Sequence, residues 1–183
     1  MLKIFLIIAV VLVVAVVGIV LYASTQPDTF RIQRATLINA PTDKVHAILT
    51  DLRRGAEWSP FERQDPNLKR TFTGPDTGVG SALEWEGNSK VGAGKLSIVD
   101  ATPSKITLNL DMRKPMEGHN IIEFALAPQD NGTALTWSMR GQMNLIAKVM
   151  CLFFNMEKDL GGAFEQGLAS LKSLAETKSL AEK

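Results

Sequence analysis

The sequence predicts an α+β fold: a curved antiparallel sheet around one long C-terminal helix, preceded by a single transmembrane helix. Three features predict it. Ile4 to Ala23 is an uncharged apolar run. Six segments with the period-two alternation of strands follow one another later in the chain, separated by short turns. Finally, Phe153 to Ala175 shows the three- and four-residue spacing of an amphipathic helix.

The apolar run is long enough to cross a bilayer. Its twenty residues, at about 1.5 Å each, match a hydrocarbon core of roughly 30 Å, and Tyr22 suits an interfacial anchor. The alternative is a cleavable signal peptide, whose apolar region is about 7–15 residues long and ends in small residues. Leu21-Tyr22-Ala23 has a large residue where a small one is needed. We therefore expect an uncleaved anchor, and Lys3 before it favours a domain on the non-cytoplasmic side.

The predicted organisation is an anchor at residues 1–23, a linker at 24–29, one domain at 30–176 and a charged tail at 177–183. Lys and Arg together number 20 and Asp and Glu number 19, so the chain lacks the basic field that attracts nucleic acid. The single cysteine excludes an intramolecular disulfide. About 150 residues suffice for one domain with a substantial core.

The domain begins with a strand and a broken helical segment. Phe30 to Asn39 alternates as a strand near a surface. Asp43 to Leu52 follows as a helix with Thr42 as its cap. The apolar face of this helix consists of Val45, Ile48, Leu49 and Leu52. Arg53 to Phe61 continues as a broken helical turn.

Six strands follow, and their short connections imply antiparallel pairing. They are predicted at Lys69–Thr73, Gly80–Glu86, Gly92–Val99, Lys105–Met112, Asn120–Ala127 and Thr133–Gly141. Asn131-Gly132, before the last strand, is the strongest hairpin signal. In the long helix after them, Gly161, Gly162 and Gly167 indicate close backbone approach or vacated space, since each weakens the helix.

Five short motifs occur in a characteristic order along the domain. They are Ile38-Asn39-Ala40-Pro41 with Val45, Trp58-Ser59-Pro60-Phe61, Gly78-Val79-Gly80 leading to Trp85, Gly132-Thr133 followed by Trp137, and the helix from Gly161 to Leu168. From about Phe30 to Leu174, this order resembles the START-like, or SRPBCC, superfamily, and within it the polyketide cyclase/dehydrase-type proteins. The N-terminal transmembrane helix is an addition to that pattern.

The resemblance implies a helix-grip fold with a cavity between the sheet and the C-terminal helix. Members of the superfamily use this cavity for lipids, sterols, polyketides or other hydrophobic molecules, and some are enzymes. Strand alternation and the helical stripe indicate which side chains point inward. The candidates for cavity residues are Trp58, Phe61, Leu83, Trp85, Leu108, Leu110, Met112, Phe124, Trp137, Met139, Met156, Leu160 and Phe164. The alternative for the same residues is a filled core.

No catalytic residue is assigned, and no cofactor or metal is predicted. His46 should face solvent and His119 should lie in a turn, and the pair lacks the ligand spacing of a zinc site. Cys151 is interpreted as a small buried apolar residue. Glu57, Glu62 and Asp65, near the expected opening of the cavity, are candidates for acid–base chemistry only if one points inward with a raised pKa. We expect all three to be exposed loop carboxylates instead.

The sequence therefore predicts a membrane-tethered protein that binds a hydrophobic, lipid-like or polyketide-like ligand in this cavity. Ile4–Ala23 would contact the bilayer and raise the concentration of the domain near membrane ligands. Two alternatives stay open: a cavity enzyme of the polyketide cyclase/dehydrase type, and a protein-interaction module with a filled core. No particular protein partner is predicted.

Overall fold

A computed structural model of the chain describes residues 2–177. The helices are α1 (Leu2–Ser24), α2 (Thr42–Thr50), α3 (Gly55–Trp58), α4 (Leu145–Cys151) and α5 (Met156–Glu176). The strands are β1 (Thr29–Ile38), β2 (Lys69–Thr73), β3 (Ala82–Glu86), β4 (Ala93–Thr102), β5 (Lys105–Lys114), β6 (Gly118–Gln129) and β7 (Gly132–Gln142). A 3₁₀ turn at Leu52–Arg54 joins α2 to α3. Apart from Thr177, the predicted charged tail lies outside the described residues.

The N-terminal apolar run forms the single helix α1. It reaches a mean hydropathy of 3.6, and its apolar side chains are exposed along nearly its whole length. By length and composition α1 can cross a membrane. The C-terminal end of the helix is different, because Ala23 is fully buried where α1 contacts α4.

The sheet is antiparallel throughout, as the short connections predict, and its strand order is β1-β7-β6-β5-β4-β3-β2. β1 crosses over to pair with β7, so that Thr29 lies opposite Gln142. The register with β5 shifts next to Gly94 and next to Ile98 in β4, and such bulges bend a sheet. The sheet is curved, and α5 packs against its inner face through Phe164.

The predicted hairpin at Asn131-Gly132 is confirmed, but its two-residue loop begins one residue earlier. The two loop residues are Asp130 and Asn131, and Gly132 is already paired with Gln129. Asp130 has φ of 50°, a conformation that short polar residues tolerate in tight turns. Gly132 is needed for a tertiary reason, because a Cβ there would lie 2.3 Å from the carbonyl oxygen of Ile38.

The predicted apolar face of α2 is buried, but the predicted cap is wrong. The helix begins after Pro41, and no side chain caps it. The hydroxyl of Thr42 instead lies 3.1 Å from that of Thr133 on β7, and Thr133 donates a 2.8 Å hydrogen bond to the carbonyl of Ala40. The hydroxyl therefore ties α2 to the sheet rather than closing the helix.

The long helix predicted from Phe153 is confirmed as α5, which begins three residues later at Met156, but a separate helix, α4, precedes it. Asn144 accepts a 2.8 Å hydrogen bond from the Ala147 N–H and caps α4, while Asn155 accepts one of 2.9 Å from Lys158 and caps α5. Each asparagine therefore marks the start of its own helix. An apolar stretch that contains hardly any polar residue shows no helical period, and α4 was therefore missed.

α5 is held to the sheet by its buried stripe and by ion pairs with β1. Phe164 is 1% exposed. Arg34 on β1 binds Glu157 at 2.8 Å and Glu165 at 2.7 Å. A Cβ at Gly161 would lie 2.0 Å from Nη2 of Arg34, so the close approach predicted from the glycines occurs at this position.

Candidate ligand-binding cavity

A cavity of about 350 Å³ lies between the inner face of the sheet, α5 and the segment of α2 and α3. Twelve of the thirteen predicted cavity residues line it: Trp58, Phe61, Leu83, Trp85, Leu108, Leu110, Met112, Phe124, Trp137, Met139, Leu160 and Phe164. Met156 does not, because it lies half-buried at the start of α5 and packs against the core. A role of these residues in ligand binding remains a prediction.

Strand alternation explains why so much of the wall can be read from the sequence. Side chains two residues apart on a strand point to the same face. The intervening residues point outward and form ion pairs across neighbouring strands, such as Glu84 with Lys95 at 3.6 Å and Glu123 with Arg140 at 3.7 Å. The same two-residue alternation therefore accounts for both the apolar inner face and the charged outer face of the sheet.

Trp137 is the centre of an aromatic cluster in the cavity wall. Its ring stacks on Phe164 with the centroids 4.1 Å apart and the planes 6° apart. Trp58 and Phe124 lie 5.5 and 5.3 Å from it. A Cβ at Gly167 would lie 2.7 Å from Cζ3 of Trp137, so this glycine lets α5 lie directly on the indole.

Two buried indole N–H groups in this wall have no hydrogen-bond partner among the described residues. Trp58 is 8% exposed and Trp137 is 3% exposed, and Nε1 of each is unbonded. An unsatisfied buried donor costs about 1–3 kcal/mol. In contrast, Trp85 donates from Nε1 to the Val91 carbonyl at 3.2 Å. Departures from good core packing are expected at functional sites more than in a core that serves stability alone.

Glu62 is a half-buried carboxylate in the cavity wall. Its side chain is 12% exposed, and it accepts a 2.7 Å hydrogen bond from Nε of Arg70. Burial raises the pKa of Glu62 above its usual range, although Arg70 acts in the opposite direction. A Cβ at Gly55 would lie 2.1 Å from Oε1. The expectation of an exposed loop carboxylate is wrong here, because α3 and Arg70 of β2 enclose the side chain.

The other two candidate carboxylates lie outside the cavity lining. Asp65 is also buried, contrary to expectation, because its oxygens accept hydrogen bonds from the backbone N–H groups of Asn67 at 2.9 Å and Asn88 at 2.6 Å. It therefore organises the loop. Glu57 is exposed as expected, and the hydrogen bond from Arg54 lowers its pKa.

The histidines and the cysteine are not brought together. His46 is half-buried instead of facing solvent, because α2 packs against β6 and β7. His119 lies in strand β6 and not in a turn, with Nδ1 2.5 Å from Asp111. Cys151 is half-buried at the end of α4, and burial raises the pKa of its thiol. No metal-binding group of three His, Cys, Asp or Glu side chains occurs between residues 2 and 177.

Sequence reasoning missed several polar residues of the lining. Asp51, Ser59 and Lys90 come from loops and turns, where no period indicates which way a side chain points. Asn120 could have been found, because it lies two residues before Ile122 on the inward face of β6. These residues, with Glu62, are polar groups in an otherwise mostly apolar wall.

Solved structures of low sequence identity share this fold. A protein from Chromobacterium violaceum is 20% identical with a TM-score of 0.55, and the match covers 84% of this chain and all of that one. Truncated norcoclaurine synthase from Thalictrum flavum is 13% identical with a TM-score of 0.61, covering 84% and 99%. The Aha1 dimer from Colwellia psychrerythraea is 18% identical with a TM-score of 0.57, covering 80% and 96%. These likenesses show the helix-grip fold alone.

The family is shown by a sequence model rather than by single relatives. No curated protein sequence gives a significant match to this chain. The family model described as polyketide cyclase / dehydrase and lipid transport matches residues 29–176. The matched range begins with β1 and ends with α5, so it contains the whole sheet and every wall of the cavity. The chain therefore belongs to the polyketide cyclase / dehydrase and lipid transport family of the START-like superfamily.

Proposed function

We propose that this protein is a membrane-tethered binding protein for a hydrophobic ligand, lipid-like or polyketide-like, held between the sheet and α5. The observation that carries the proposal is the mostly apolar cavity of about 350 Å³. Small-molecule sites of roughly 300–1,000 Å³ have mostly apolar walls with a few polar groups. The volume is near the lower end of that range, which favours a compact molecule or a single chain.

The wall suits ligands of variable shape. Met112 and Met139 both line the cavity, and methionine side chains adapt to irregular apolar surfaces. Polar groups such as Asn120 and Glu62 would orient a ligand that carries a hydroxyl, carbonyl or carboxyl group. Such groups fix orientation while burial of apolar surface supplies most of the affinity.

α1 supports the tether. It is long and apolar enough to cross a membrane, and only residues 25–28 separate it from β1. Tethering would raise the concentration of the cavity near ligands that partition into the bilayer. In this proposal the domain lies on the non-cytoplasmic side, which Lys3 before the span favours. Labelling of a Val79→Cys variant with a membrane-impermeant thiol reagent in intact cells tests that side.

The tryptophans provide a direct test of binding. The chain has three, Trp58, Trp85 and Trp137, and all three line the cavity. Full-length protein in nanodiscs of saturated phosphatidylcholine should lose tryptophan emission when 9,10-dibromostearate is added. Stearate, which lacks the bromine quencher, should not cause that loss.

A matched pair of variants separates the cavity from the bilayer as the source of quenching. Leu110→Phe fills part of the cavity with a larger side chain and should weaken the quenching. Leu37→Phe, on an exposed site of β1, should not change it. Equal quenching in both variants would show that the quencher acts from the bilayer and would contradict binding in the cavity.

Glu62 favours a second candidate, a cavity enzyme of the polyketide cyclase/dehydrase type. A carboxyl group with a raised pKa beside an apolar chamber can exchange protons with a bound substrate. A poly-β-keto thioester analogue would be incubated with the protein and the cyclised products followed by mass spectrometry. Glu62→Gln should abolish their formation, whereas Glu57→Gln, at an exposed site, should not. Equal product formation by both variants and wild type would remove Glu62 from the chemistry.

A further inference from the structure

We propose that α4 and the turn after it dock into the interfacial layer of the bilayer beside α1, so that the domain lies on the membrane rather than hanging free of it. The proposal rests on the membrane tether proposed above. It concerns a surface of six exposed apolar side chains, called the α4 patch. Its members are Leu145, Ile146, Met150, Leu152, Phe153 and Phe154.

The α4 patch exposes an unusual amount of apolar surface for a contact with water. Phe153 is 68% exposed, Ile146 is 64% and Phe154 is 61%. Single exposed apolar side chains are common, but a contiguous group marks a site of protein or membrane contact. Residues 143–156 contain one charged residue, Lys148.

Lys148 is turned away from the surface. Its side chain is 7% exposed, and Nζ lies 2.5 Å from a carboxylate oxygen of Asp28. An amphipathic helix on a water-soluble domain buries its apolar face and exposes its charges. α4 does the opposite, since its lysine is inside and its leucine, isoleucine and methionine side chains are outside. This arrangement fits a helix whose outer face meets hydrocarbon.

The position of the α4 patch identifies lipid as the occupant. α4 contacts the end of α1, where Ala23 is fully buried. Asp28, in the connection from α1 to β1, binds Lys148 and also accepts a 2.7 Å hydrogen bond from the Met143 N–H. The patch is therefore fixed to the point where α1 would leave the bilayer. Apolar faces of interfacial helices lie about 5–10 Å into the boundary between headgroups and acyl chains.

Docking there would also bring the cavity to the membrane. β1 starts next to α1. Because the sheet is antiparallel, the end of β7, the start of β6 and the end of β5 lie at the same end of the sheet as the start of β1. Met139, Asn120 and Met112 line the cavity from those strand ends, and Leu160 does so from the first turns of α5. A ligand could then pass between the bilayer and the cavity with a shorter path through water.

The test uses full-length protein in vesicles of phosphatidylcholine, with Cys151→Ala as the background because Cys151 is the only cysteine. An NBD fluorophore would be attached to a cysteine at Phe154 in the α4 patch, at Val13 in α1, or at Val79 in the β2–β3 turn. Val79 is an exposed apolar residue at the opposite end of the sheet. Quenching by nitroxide-labelled lipid and by aqueous iodide would be compared, and the tryptophan emission spectrum would check folding.

The proposal expects lipid quenching at Phe154 close to that at Val13 and several-fold stronger than at Val79. Quenching at Val13 but not at Phe154 would overturn docking while leaving the tether intact. No lipid quenching at either position would overturn the tether and docking together. A Phe154 probe shielded from both lipid and iodide would overturn lipid as the occupant and indicate a protein partner or a second copy of this chain.

Discussion

Replacing Phe164 with alanine is expected to destabilise the domain by about 3–5 kcal/mol. The side chain is 1% exposed, and its ring stacks on Trp137 at 4.1 Å. Stacking of this kind contributes about 0.5–1.5 kcal/mol beyond burial. The space left behind would join the existing cavity, because Phe164 already lines it. Gly167 lies nearly one turn further along α5 and has no side chain that could fill the gap.

Two further variants calibrate this value. Leu171→Ala, at a fully buried site of α5 away from the cavity, should cost about 2–5 kcal/mol. Trp85→Ala should cost less than Phe164→Ala despite the larger ring, because Trp85 is half-buried. Midpoints of guanidinium unfolding would be followed by circular dichroism for the full-length protein in detergent micelles. In thermal unfolding, a chain of this size loses about 2–4 °C per kcal/mol.

The result that would refute this reasoning is a smaller loss for Phe164→Ala than for Trp85→Ala. It would mean that the Phe164 ring is not packed as a core residue. A second readout uses dibromostearate. If the alanine variant gains usable cavity volume, ligand should restore part of its stability by mass action, while Leu171→Ala should show no extra recovery.

Three other predictions follow from single contacts. Gly167→Ala should lower the free energy of unfolding by about 1–3 kcal/mol, because its Cβ would lie 2.7 Å from the Trp137 indole. Gly162→Ala, where a Cβ would meet nothing within 4 Å, should instead raise the free energy of unfolding by no more than about 1 kcal/mol. Thermal unfolding of both variants checks this. Glu62 has a raised folded pKa, so its stabilising contribution is present at acid pH and lost as pH rises from about 4.5 through that pKa. The stability of wild type relative to Glu62→Gln should therefore fall with rising pH, and a rise would contradict the burial argument. Asp28→Asn should open α4 to hydrogen exchange more than Lys148→Met does, because it leaves a buried ammonium unpaired; equal exchange would refute a role for this pair.

The sheet and α5 could be predicted because their periods repeat over many residues. Each strand of the domain offers several inward and outward positions, so an error at one residue does not change the face assigned to the others. β2 has the predicted bounds, and the other strand ends differ by a few residues. Short elements lack this redundancy. α4 spans seven residues and its cap is a single asparagine, Asn144, so its apolar composition concealed it.

The apolar wall of the cavity could be predicted for the same reason, and its polar groups could not. Leu108, Leu110 and Met112 follow from alternation on one strand. Glu62 sits in a loop, where burial depends on Arg70 and on the missing side chain of Gly55, two contacts made by separate elements. Loop carboxylates are usually exposed, so the sequence favoured the wrong environment for Glu62 and for Asp65.

By itself, the sequence determined the apolar N-terminal helix, the order of the strands, the face of each strand and the family motifs, because each depends on residues that are neighbours along the chain. Only the tertiary structure decided that Glu62 is enclosed beside the cavity, that Trp58 and Trp137 have N–H groups without a partner among residues 2–177, and that Lys148 turns inward to Asp28. These features depend on desolvation and on partners far apart in sequence. A local pattern does not encode which side chain a folded chain will place opposite another.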